Sequence, residues 1–423
     1  MVLKKAYLLL FLLSITIQKN LISFLQDDYA VKLDPTFDKS VAIKDSGNTR
    51  FDDSVQGRTI IDEMHFGWNL GNTFDAYDDK FLPDQGLSSE ECWGNPKTTE
   101  AIIDGLIKKG FQTIRIPVSW HNHLVDKQYT INPEWTTRVK AVVDMCLSKG
   151  LYVILNTHHD QAENGVSYGQ GYYPNRNNRE ESEKYLLNIW SQIALAFNNG
   201  YDHHLIFEPL NEPRLKGDSH EWWYAPGDGN CEDGIQTVNE FNSLIHTVIR
   251  TSGGNNAKRF ILFTSCAAAF DYTTSSGFKI PDDSKYNSGS KKVLVSVHMY
   301  TPYDFAMNPD MSYTIFNDGC RNELDQKFRT LHDKFVSQGI YVIIGEMGVV
   351  NKNNLDERIS WAKYFVEQAR KQGCASIVWD NGYWGTEGGS PEETFGLYHR
   401  TQGTWEPDQL VDAYISAAKG SVS

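Results

Sequence analysis

Two glutamates in this 423-residue chain each follow a short apolar run bounded by Gly and Pro. Glu212 lies in Leu205-Ile206-Phe207-Glu208-Pro209-Leu210-Asn211-Glu212-Pro213, and Glu346 in Ile340-Tyr341-Val342-Ile343-Ile344-Gly345-Glu346-Met347-Gly348. Such runs suit parallel strands covered on both faces. A carboxylate at the C-terminal end of such a strand stands where a (β/α)₈ barrel carries its chemistry. Two carboxylates facing one cleft are the minimum equipment for cleaving a glycosidic bond. The bland alternatives are a helix cap at Asn211-Glu212 and half of a buried ion pair at Glu346.

Other polar residues end the neighbouring apolar runs. Arg115 is a cation inside Thr113-Ile114-Arg115-Ile116-Pro117; it must pair, and Glu346 is the candidate partner. In His298-Met299-Tyr300 the two-residue period points His298 and Tyr300 to one side. That places a hydroxyl able to orient Glu346 and an imidazole able to bind a sugar or an acid. His158-His159-Asp160 could suggest a metal, but no further ligand motif accompanies it, and neutral hydrogen-bonding histidines are expected. Trp379 offers a flat face for a sugar ring, its alternative being a core tryptophan. The Asn211 amide can donate to a sugar hydroxyl beside the scissile bond. For Glu212 to act as an acid it must hold a proton, and the charge on Glu346 is expected to raise its pKa.

These residues need elements to position them. Candidate strands are Phe66–Asn69, Thr113–Ile116, Tyr152–Asn156, Leu205–Glu208, Phe260–Thr264, Val293–His298, Tyr341–Gly345 and Ser376–Trp379. Helical patterns run over Thr98–Lys109, Pro133–Lys149, Glu180–Phe197, Leu324–Gln338, Ile359–Gln372 and Asp408–Ala418, with Gly110, Gly150, Gly200, Gly339 and Gly373 as stop signals for the first five. Ser265–Lys292 reads as a long loop. Eight strands alternating with helices make a closed barrel or an open doubly wound sheet. The open sheet would carry a Gly-rich phosphate turn after its first strand, and Gly67-Trp68-Asn69-Leu70-Gly71-Asn72 lacks that spacing. A single (β/α)₈ domain over 57–418 is expected.

The formal charge of −14 argues against a nucleic-acid partner. Many aromatics (Trp93, Tyr172, Tyr173, Trp222, Trp223, Trp384) sit in Gly-, Asn- and Asp-rich segments, where rings serve as ligand platforms. Lys4-Lys5 precede an apolar stretch from Ala6 to Ile17, of the length of a secretory signal. A signal or N-terminal anchor over 1–25 and a linker or extension over 26–56 are expected, with secretion, no membrane partner beyond that segment, and a monomer. The six cysteines show no C-x-x-C spacing, which excludes a zinc ribbon or redox motif.

The ordered set resembles glycoside hydrolase family 5, the cellulase family, over nearly all of Phe66 to Trp405. The stretches Gly67-Trp68-Asn69-Leu70-Gly71-Asn72-Thr73, Trp93-Gly94-Asn95-Pro96-Lys97-Thr98 and Ile114-Arg115-Ile116-Pro117-Val118-Ser119-Trp120 are similar to its endoglucanase subfamily 4. So are those around His158-His159-Asp160, Asn211-Glu212-Pro213, His298-Met299-Tyr300, Gly345-Glu346 and Val378-Trp379-Asp380-Asn381-Gly382. The resemblance implies Glu212 as acid/base and Glu346 as nucleophile of a retaining β-1,4-glucanase that needs no cofactor or metal. It implies Arg115, His158, Asn211, His298, Tyr300 and Trp379 as the surrounding shell, with Asn72, His159 and Trp93 at its margin. Glu208 precedes the strand end and reads as structural. Xyloglucan, mixed-linkage glucan and mannan remain alternative substrates, and a non-catalytic sugar-binding barrel a further alternative.

Overall fold

The computed structural model describes residues 33–163, 168–287 and 291–420. The expected signal segment, 1–25, lies outside the described residues. One compact unit, Thr36–Ser423, contains the whole barrel.

Eight parallel strands close in sequential order: β1 (Phe66–Asn69), β2 (Thr113–Ile116), β3 (Tyr152–Asn156), β4 (Leu205–Glu208), β5 (Ile261–Phe263), β6 (Val293–His298), β7 (Val342–Met347) and β8 (Cys374–Val378), with β8 pairing back onto β1. Every residue of these strands is buried. Continuous burial is why they read as apolar runs rather than as alternating ones. The (β/α)₈ expectation holds.

Several helices end on the expected signals, while the one over Arg179–Ala196 stops short of Gly200 and those over Asp318–Lys334 and Leu355–Lys371 begin ahead of the expected Leu324 and Ile359. Helix α1 (Gly57–Met64) precedes β1, and α2 (Glu100–Lys109) stops at Gly110, which takes φ +110°. Helix α3 (Pro133–Ser148) opens with Pro133 behind Asn132, whose side chain caps the Glu134 N–H. Then follow α4 (Arg179–Ala196) and α5 (Gly229–Thr251). The pattern reading did not resolve α5, 23 residues capped by the Asp228 carboxylate on the N–H groups of Asn230 and Cys231. The β5–β6 connection is mostly loop, as expected, with the single turn α6 (Phe270–Thr274). The remaining helices are α7 (Tyr303–Ala306), α8 (Asp318–Lys334), α9 (Leu355–Lys371) and α10 (Asp408–Lys419).

The core at the strands' N-terminal end is closed by α1. Ile60, Ile61 and Met64 pack with the inward-facing Ile154, Ile206, Leu262, Leu294, Ile343 and Ile377. Residues 36–56 are laid on the helix ring rather than projecting from it. Phe37 and Phe51 are buried, the Phe37 N–H donates to Asn188, and Asp45 accepts from the N–H groups of Asn198 and Gly200. With the bottom sealed by apolar packing, the opposite end, where the strands' C-termini lie, is left for polar groups.

Two irregularities re-aim side chains at that end. The β6/β7 register shifts between Val297 and His298, and the β7/β8 register between Ile344 and Met347. Such bulges occur next to sites because they turn a side chain out of the strand's alternation. Gly345 belongs to this device. A Cβ there would lie 2.8 Å from Ser296 Oγ and 3.1 Å from His298 Nε2, so only glycine lets β7 lie this close to β6.

Candidate active site

Arg115 is the hub. It projects from β2, is wholly buried, and spends its fork on four groups: Nε donates to Glu208 (2.6 Å), Nη1 to Asn69 (2.9 Å) and Glu346 (2.9 Å), and Nη2 to Asn211 Oδ1 (2.6 Å). Burial opposes its charge, but the Glu208 and Glu346 carboxylates more than offset this and raise its pKa. The expected Arg115–Glu346 pair is present, and Glu208 is a second, shorter partner. Glu208 is wholly buried and also accepts from Ser296 Oγ (2.9 Å) and Asn156 Nδ2 (3.2 Å). Its carboxylate is thus fully engaged in holding the arginine, in keeping with a structural role.

Glu346 receives Arg115 on Oε1 and the Tyr300 hydroxyl on Oε2 at 3.0 Å. Burial, then the Glu346 charge, pushes the Tyr300 pKa well up, so its hydroxyl stays a donor. Across the cleft, Glu212 Oε1 lies 2.7 Å from His298 Nδ1, which is also 3.6 Å from Glu346 Oε2. Glu212, His298 and Glu346 each contribute one atom to a set within 4.8 Å of one another. The two carboxylates therefore share one small space with an imidazole between them.

The protonation pattern differs from the one expected. Burial pushes Glu212 up, but the His298 hydrogen bond and charge, then Arg214 and His159, outweigh it and leave its pKa below the ordinary carboxylate value. Burial pushes His298 down, but Glu346 and Glu212 outweigh it and leave it raised. Both shifts favour the ionised form of the pair, with the His298 imidazole placed to answer the charge of Glu346 as well as that of Glu212.

His158 and Asn211 complete the inner wall. His158 Nδ1 lies 3.1 Å from Asn156 Nδ2, and Nε2 lies 3.4 Å from Asn211 Nδ2. Burial, then the charges of His159 and Arg115, keeps His158 well below the usual histidine pKa and neutral. Its ring lies parallel to Trp379, 2° between planes and 5.7 Å between centroids. Trp379 is itself buried against Val350 and Phe395, with Tyr300 alongside.

The residues expected at the margin stand apart from the Arg115 network. His159 Nε2 is 3.7 Å from Asp75 Oδ2, and its ring lies 5.7 Å from Trp93. Trp93 is 41% exposed and donates its indole N–H to the Tyr77 carbonyl. Asn72 takes φ +53° just past β1, and its N–H donates to Asp75. Asp75, His158 and His159 could offer three atoms to a metal, as could Glu212, His298 and Glu346. The Glu212, His298 and Glu346 atoms are engaged in the contacts described above, whereas the His159 ring stands 3.7 Å from Asp75.

The sequence reading passed over Asn69, Asn156 and Ser296, polar residues inside otherwise apolar strands that hold Arg115, His158 and Glu208. It also passed over Gln161, which donates to the Glu212 carbonyl at 2.6 Å. Burial first, then the charges of Glu346, Glu392 and Glu212, raises the pKa of Glu393. Nothing in its loop sequence marks it.

Comparison with known proteins identifies the family. Residues 74–385 match the model of the cellulase family, glycosyl hydrolase family 5. Endoglucanase B of Neocallimastix patriciarum is 38% identical over 373 residues, covering 87% of this chain and 73% of that protein. Endoglucanase A of Clostridium longisporum is 40% identical over 363 residues, covering 85% of this chain and 65% of that one. The chain thus spans about two thirds to three quarters of these relatives. A family 5 lichenase of Caldicellulosiruptor sp. F32, solved with cellotetraose, superposes with TM-score 0.80 at 38% identity, over 89% of this chain and 98% of that one. Fold and relatives agree: the chain is a glycosyl hydrolase belonging to family 5, the cellulase family.

Proposed function

We propose that this protein is a secreted, endo-acting, retaining β-1,4-glucanase, with Glu346 as nucleophile and Glu212 as acid/base. The observation that carries the reading is the Glu212–His298–Glu346 triangle, with its three atoms inside 4.8 Å. Carboxyl groups that close suit a double displacement, since inversion needs about 6.5–9.5 Å to admit a water. Arg115 and Tyr300 hold Glu346 as an oriented anion whose oxygen attacks the anomeric carbon while the glycosidic C–O bond breaks. The leaving oxygen needs a proton from Glu212. One proton resides on the His298–Glu212 pair, and over 2.7 Å it passes to Glu212 when a sugar covers the site. Water then attacks the glycosyl ester, giving its proton back to Glu212 and releasing Glu346. Trp379 and His158, parallel to each other, offer flat faces beside the reacting ring.

β-Glucan as substrate is supported by relatives named endoglucanase and by related structures solved with cellotetraose or cellotriose. Mixed-linkage glucan is the second reading, favoured by the similarity to a lichenase. Secretion rests on the apolar N-terminal stretch; among the described residues no helix is long and apolar enough to cross a membrane. The test is a panel of carboxymethylcellulose, mixed-linkage glucan, xyloglucan and mannan, followed by viscosity and reducing ends together. The expected outcome is a steep viscosity loss per bond cut on the two β-glucans. A turnover confined to mannan, or viscosity falling only in step with released sugar, would contradict the assignment.

A further inference from the structure

Among the described residues, the other buried arginines find hydrogen-bond or charge partners for their guanidinium groups, and Arg358 finds none. Arg115 meets two carboxylates, Arg250 meets Asp283, and Arg259 and Arg400 donate to ordered oxygens. Arg358, on α9, is equally hidden at 3% exposure. Among the described residues its guanidinium has no carboxylate within salt-bridge distance and no hydrogen bond, and its Nε is sealed from solvent without a partner. Burial lowers its pKa to about 10, which leaves it charged at neutral pH. Tyr414, whose charge would favour the guanidinium, is a phenol that burial keeps neutral. A buried charge with no countercharge is strongly disfavoured, and buried charges in folded proteins are as a rule paired.

Arg358 lines a cavity of about 120 Å³ together with Asn351, Trp384, Thr394, Gly396 and Glu406. Glu406 does not answer it: that side chain is 67% exposed and turned onto His399 Nε2 at 2.7 Å. We propose that this cavity is a binding site for one small anion, a carboxylate or oxyanion, with Arg358 as its countercharge. The volume admits an anion of acetate or phosphate size, with the rest of any larger carrier left outside its mouth. The guanidinium fork matches two oxygens of such a group. The site lies behind the cleft wall: Thr394 and Gly396 line the cavity, while Phe395 between them packs on Trp379 and Tyr300. The anion therefore braces that wall without entering the cleft. It comes either free from solution or as the carboxylate of an acidic sugar.

The test is thermal unfolding of the whole protein in chloride-free buffer, titrated with sodium acetate against the bulky HEPES anion at matched ionic strength. A saturable rise in Tm, about 2 °C at ten times Kd, is expected with acetate and not with HEPES. Arg358→Met should lose the acetate response, and Arg358→Lys should keep a weakened one. Glucuronate used in place of acetate separates the sources: a response shows that a sugar-borne carboxylate enters, and none assigns the site to the free anion. Equal responses to acetate and HEPES in the wild type, or no response to acetate or phosphate, would overturn the proposal. So would an Arg358→Met variant that responds as the wild type does. Should Arg358→Met fail to fold, the wild-type comparison and Arg358→Lys decide it.

Discussion

Each glutamate is tuned by what touches it. Glu346 is held by a guanidinium and a phenol, so Glu346→Gln keeps its shape and loses the attacking anion. Turnover should fall about 10⁴-fold or more with folding intact; a folded variant near wild-type rate would sink the nucleophile assignment. Glu212→Ala should cost far more on unactivated β-glucan than on an aryl cellobioside, whose leaving group needs little protonation. Equal losses on both would argue against Glu212 as the acid. The shared proton sets the pH profile. Because His298 is raised above its ordinary 6.5, the alkaline limb of kcat/KM should lie above that value. His298→Gln leaves Glu212 to hold the proton alone and should move the limb to lower pH. The same pair affects stability in both directions. The depressed Glu212 contributes stability above its ordinary 4.5 that is lost as pH falls through its folded pKa. The raised His298 contributes stability below 6.5 that is lost as pH rises through its folded pKa. Their joint contribution is therefore greatest between those two values, and unfolding midpoints across pH in wild type and His298→Gln check it.

At the scale of elements, the site depends on a hub strand and a bulged pair. Removing the guanidinium in Arg115→Met strands Glu208, wholly buried, without its cation, and should cost about 3–5 kcal/mol on denaturant unfolding. Gly345→Ala should cost about 1–3 kcal/mol and slow turnover, because its methyl meets Ser296 Oγ and His298 Nε2. An unchanged unfolding midpoint in either variant would contradict the packing described. The strands could be read from sequence because each is buried on both faces and so is an unbroken apolar run. The glutamates and Arg115 could be read because a charge in such a run needs a partner. Asn69, Asn156 and Ser296 obey the same logic, but neutral polar residues in strands are common enough that their signal is faint. Helix α5 hid behind Gly227, Gly229 and Gly234, a turn-like composition over its start, although Ile235, Val238, Phe241 and Ile245 keep helical spacing and are buried. The register shifts at His298 and Met347 leave no trace in composition, since a bulge is a property of two paired strands. That is also why His298 could be read as able to bind the acid but the direction of the Glu212 shift could not: the distance that sets it arises only on closure of the barrel.

For the whole molecule, the apolar plug closes one end of the barrel and leaves the polar end as the place where the proposed acid and nucleophile come together. Hydrolysis by two carboxylates needs no metal, so activity should survive a strong chelator. Loss of activity on chelation, restored by one divalent ion, would instead show that a metal takes part, with Asp75, His158 and His159 among the candidate ligands. The central claim is double displacement across a narrow cleft, and its most direct test is proton NMR of the first reducing ends formed from β-glucan. Two displacements at the anomeric carbon restore its configuration. The account requires the β anomer to predominate at early times, with the α anomer growing only as mutarotation proceeds. Predominance of the α anomer before mutarotation would contradict it.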